Sequence, residues 1–60
     1  MIEVTDILKV STDLNISLSD EQALQVLNLY PEYENAYPSD LWFEIIETII
    51  YNHILPLNKL

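Results

Sequence analysis

The chain contains no glycine. Glycine takes positive φ without steric cost, and two-residue β-hairpins depend on that freedom. Any turn that needs left-handed backbone here falls to Asn or Asp, or is avoided. That disfavours a sheet of tight hairpins and favours helices joined by short loops. Sixty residues hold one small domain, 1–60, whose core is marginal. Such domains usually add disulfides, a metal or a second subunit. The chain has no Cys, which excludes disulfides and thiolate metal sites and fits a reducing compartment. Dense packing or oligomerisation must then supply the stability. Half of the residues are hydrophobic, too many for a disordered chain.

An all-α domain is the expected fold, with helices near residues 19–29 and 40–54. Ser19 and Gln22 have the spacing of a capping box, and Asp20 and Glu21 occupy the first turn, where the helix dipole favours carboxylates. Ala23, Leu24, Val26 and Leu27 supply a stripe for burial. Pro31 is expected to end this helix, because the residue before a proline avoids helical geometry. In the last helix, Ser39 or Asp40 is the expected N-cap, and Pro56 sets the end near Ile54. At about 100° per residue, its isoleucines, Trp42 and Phe43 fan across half the circumference. An arc that wide has two edges. Trp42, Ile45 and Ile49 suit the domain's own core, and Phe43, Ile46, Ile50 and Ile54 suit a second copy in a homodimer.

The first 18 residues carry two patterns. Ile2, Val4, Leu8, Val10, Leu14, Ile16 and Leu18 alternate with mostly polar neighbours, as in a strand. Val4, Ile7, Leu8 and Leu14 also fall on one side of a helix with Thr5 at its N-cap. A helix over residues 5–14 followed by an extended 15–18 is the expectation, with a short hairpin as the alternative. Between the later helices, Tyr30-Pro31 and Tyr37-Pro38 frame a segment that reads as a stiff, ordered loop.

Charge narrows the function. Ten carboxylates stand against Lys9 and Lys59, for a net charge of −8. Nucleic-acid binding requires cations that displace condensed counterions, so direct contact with DNA or RNA is not expected. Anionic membrane surfaces are disfavoured for the same reason. A protein with a basic surface is the natural electrostatic partner. The start of the chain lacks the basic residues and apolar run of a signal peptide, and the uncharged stretch 48–58 is too short for the roughly 20 residues of a membrane span. A cytoplasmic protein is expected.

Chemical motifs are sparse. His53 is the single histidine, without a recognisable nucleophile or acid partner, and reads as a packed or interfacial residue. Glu44 and Glu47 share a helix face at i,i+3, but a carboxylate metal site of the bundle type wants Glu-x-x-His. No phosphate loop or calcium loop is present. Neither catalytic residues nor a metal or cofactor are expected. The most suggestive group is the acidic, tyrosine-bearing segment. Tyr is enriched at interfaces and stacks on guanidinium groups. Glu32, Tyr33, Glu34 and Tyr37, with Asp20, Glu21, Glu44 and Glu47, form the expected partner-binding surface.

Leu18-Ser19-Asp20-Glu21-Gln22, Val26-Leu27, Tyr30-Pro31, Trp42, Ile45-Ile46-Glu47 and Ile50-Tyr51 together resemble small acidic proteins of bacteriophages and mobile elements. The likeness covers about residues 16–51. It implies synthesis in the cytoplasm of a bacterial host and, by analogy, inhibition of a host enzyme or defence complex, in some cases by imitating DNA. The alternative is an assembly module that acts through its apolar helix face, with the charge serving solubility alone.

Overall fold

The computed structural model describes residues 2–55 and contains three helices: α1 (Val4–Asp13), α2 (Asp20–Ala36) and α3 (Trp42–Ile49). A π-helical turn, Ile50–Ile54, continues α3. No strand occurs among the described residues, so the N-terminal segment is a helix and not a hairpin. The expected role of Pro56 lies outside the described residues.

Each helix starts with the same device. A side chain three residues in accepts a hydrogen bond from the N-cap N–H, tying down the first turn. In α1 the Asp6 carboxylate accepts from Glu3 N–H at 2.9 Å, which puts the N-cap at Glu3 and not Thr5. In α2 the capping box is reciprocal: Gln22 Oε1 accepts from Ser19 N–H at 2.9 Å, and Ser19 Oγ accepts from Gln22 N–H at 3.1 Å. In α3 Glu44 Oε1 accepts from Leu41 N–H at 2.9 Å. The N-cap is therefore Leu41, and neither Ser39 nor Asp40 serves. Asp40 N–H instead donates to the Tyr37 carbonyl at 3.1 Å and closes the preceding turn.

α1 ends on the chain's substitute for glycine. Asn15 has φ of 60°. Its N–H donates to the Thr12 carbonyl at 3.0 Å, and Ile16 N–H donates to the Ser11 carbonyl at 2.8 Å. These are the two bonds of a Schellman motif. Asn tolerates this conformation better than other residues with a Cβ, and glycine tolerates it best. Asn15→Ala is expected to lower stability by about 1 kcal/mol, whereas Asn15→Gly should be neutral or slightly stabilising. Urea denaturation of the two variants checks this.

Pro31 does not end α2, which runs through it to Ala36. The proline leaves the Leu27 carbonyl without its helical donor and costs about 3 kcal/mol in a helix interior. Tertiary burial offsets that cost. Val26 and Tyr30 are buried just before it, and Tyr33 packs on the core just after it. The segment expected as a stiff loop is thus mostly helical, and only the residues around Pro38 connect α2 to α3.

α1 and α2 both pack against α3. Ile7 and Val10 from α1, and Ala23, Val26 and Tyr30 from α2, meet Ile45, Ile46, Ile49, Ile50 and Ile54. Ser11 is buried with them, its hydroxyl donating to the Leu8 carbonyl at 2.9 Å. In the π-helical turn Leu55 N–H reaches back five residues to the Ile50 carbonyl. The five isoleucines are each 2% exposed or less. The expectation that Ile46, Ile50 and Ile54 form an outer edge is corrected: two helices flank α3, so its own chain covers both edges of the arc. Of the expected self-association residues only Phe43 is exposed, and Trp42, expected inside, is exposed as well.

Candidate protein-binding surface

The continuation of α2 past Pro31 positions the aromatic residues. Tyr33 and Tyr37 lie one turn apart, and their rings stack with centroids 6.1 Å apart. The Tyr33 hydroxyl is 2.6 Å from His53 Nε2, and the two rings meet edge to face. His53 belongs to the π-helical turn. With Leu29, Glu32 and Ala36, these three residues line a shallow depression of about 360 Å³. Tyr33, expected on the partner-binding surface, has its hydroxyl engaged within the chain. Tyr37 remains 44% exposed at the rim. The Tyr33–His53 contact has no signal in the sequence unless the helix is continued through the proline.

The expected acidic surface is not one cluster. Asp20 and Glu21 open α2, while Glu32 and Glu34 lie in its last turns. At 1.5 Å per residue, Asp20 and Glu34 are about 20 Å apart along the helix axis. Glu44 is exposed but holds the Leu41 N–H, and Glu47 is half-buried on α3. Asp20, Glu21, Glu32 and Glu34 are exposed. Several carboxylates sit where the helix dipole opposes them. Asp13 is the last residue of α1 and Glu34 falls in the last turn of α2; no helix has a basic residue in its last turn except His53 in the π-helical one. A carboxylate at a helix C-terminus is unfavourable by a few tenths of a kcal/mol to about 1 kcal/mol.

A second concave feature went unanticipated. Ile2, Asp6, Tyr30, Pro31, Glu34 and Trp42 line an open groove of about 660 Å³ between the start of α1, the stretch of α2 around Pro31 and the start of α3. Tyr30 is buried beneath it. Burial, the adjacent Glu34 charge and a hydrogen bond to that carboxylate all raise the pKa of the Tyr30 phenol above its ordinary value. It therefore stays neutral throughout the physiological range. Beside the groove Leu41, Trp42 and Phe43 are 55%, 42% and 39% exposed, with the Trp42 and Phe43 rings edge to face at 5.6 Å. Three consecutive large apolar residues on the surface of so small a domain are notable, because contiguous exposed apolar area marks contact sites.

Among the described residues no group of three or more His, Asp or Glu side chains has the proximity to hold a metal ion. No helix of the described residues is long and apolar enough to cross a membrane. No protein-family model, curated protein or solved structure matches the chain.

Proposed function

We propose that this is a protein-binding inhibitor of the kind found in bacteriophages, which docks on a basic, nucleic-acid-binding host protein or defence complex and occupies it as a DNA mimic. The observation that carries the reading is the placement of charge. All ten carboxylates lie in the described region and none is fully buried. Asp6 and Glu44 cap helices, and Asp20 and Glu21 suit a helix N-terminus. Asp13 and Glu34 work against the dipole and so lower the stability of the free domain. Solubility needs a net charge of only about 2–8 in magnitude, so a chain at −8 is already at the upper end. The long axis of the domain is 31 Å. One DNA strand carries a phosphate about every 3.4 Å, so the amount of charge along that axis is comparable.

The test is binding to purified nucleases and defence complexes across a salt series. Affinity for the true partner should fall on the order of tenfold or more between low and moderate ionic strength. Tight binding that ignores salt would overturn electrostatic mimicry. The exposed Leu41-Trp42-Phe43 surface favours a second reading, an assembly module that docks through apolar contact. In that case the double substitution Trp42→Ser with Phe43→Ser should abolish association, and salt should strengthen it.

A further inference from the structure

The groove between α1, α2 and α3 combines two kinds of recognition. Its lining has apolar and aromatic area in Ile2, Pro31, Tyr30 and Trp42, and two carboxylates in Asp6 and Glu34. Among the described residues its lining includes no lysine. Asp6 uses Oδ2 on the Glu3 N–H, which leaves its other oxygen available as an acceptor. Trp42 is 42% exposed, so part of its indole is open to solvent. A volume of about 660 Å³ falls within the range of ligand sites, about 300–1,000 Å³.

A long cationic side chain matches this lining. Its methylene stem suits the apolar area, and its charged head suits the carboxylates. Arginine fits better than lysine for two reasons. Its planar guanidinium stacks on an indole face, and it donates two parallel hydrogen bonds to one carboxylate. Lysine offers a compact, strongly hydrated point charge. Building on the protein-binding reading above, we propose that the groove receives an arginine side chain of the partner protein, held against Trp42 and paired with Glu34 and Asp6. The rest of the acidic surface then steers the encounter, and this groove sets its register.

The test uses the full chain with hexa-arginine and hexalysine peptides at low ionic strength, followed by NMR. Hexa-arginine should bind about threefold or more tightly than hexalysine, with the largest shifts at the Trp42 indole N–H. Trp42→Leu keeps apolar bulk at an exposed site and should erase that preference, a loss of about three- to tenfold in arginine binding. Glu34→Gln should weaken hexa-arginine more than Asp20→Asn with Glu21→Gln does. Far-UV circular dichroism confirms that each variant is folded. Should Trp42→Leu retain the arginine preference, or should the distant pair matter as much as Glu34, the groove assignment fails while the broader protein-binding reading stands. If neither peptide binds at low salt, both fail.

Discussion

Ile46→Glu should unfold this protein. Ile46 is fully buried where α3 meets the other two helices, beside Ile45, Ile49 and Ile50. A carboxylate there has no partner, and an unpaired buried charge costs several kcal/mol. Domains of this size have only about 3–5 kcal/mol from a single core. Far-UV circular dichroism and the loss of NMR dispersion give the readout. Ile46→Val is the control and should cost about 0.5–1.5 kcal/mol with the fold retained. If Ile46→Glu stays folded and loses only partner binding or self-association, Ile46 is at an interface and the packing described for α3 is wrong. Phe43→Glu, by contrast, should leave the fold intact, since Phe43 is 39% exposed.

Reversing Glu32 and Glu34 to lysine together should separate stability from binding. The change halves the net charge of −8. It removes a carboxylate from the last turn of α2 and puts a cation there, which the dipole favours by about 0.3–1 kcal/mol per site. Thermal stability should therefore hold or rise slightly. Affinity for a basic partner should fall on the order of a hundredfold, because attraction becomes repulsion at two positions. Calorimetry on the free protein and a binding titration give the two numbers. A variant that binds as well as the parent would remove the electrostatic reading, and the apolar surface at Trp42 and Phe43 would take its place.

These two experiments fall on residues whose roles were legible to different degrees. The carboxylates are exposed because charge avoids burial, which is a property of the side chain itself. The helix start at Ser19 was also readable, since capping depends on residues three apart, whereas the α3 cap falls on Leu41 and not on the expected Ser39 or Asp40. The stop at Pro31 was misread because its penalty is local while the gain that outweighs it is not. Tyr30 and Tyr33 find their packing on elements distant in sequence, and Tyr33 finds its hydrogen-bond partner 20 residues away. The groove was invisible for the same reason: its lining comes from the start of α1, the second half of α2 and the start of α3.

Short-range chemistry along the chain was enough to specify an all-helical domain without glycine, the limitation of any left-handed turn to Asn or Asp, and a surface rich in carboxylates. Those features depend on backbone sterics, helical phase and the hydration of charge, each of which acts within a few residues. Which isoleucines lie inside, whether a helix survives its proline, and where aromatic and acidic groups converge were settled only when three helices met. Burial is a property of what covers a residue, and the covering side chains are far away in sequence.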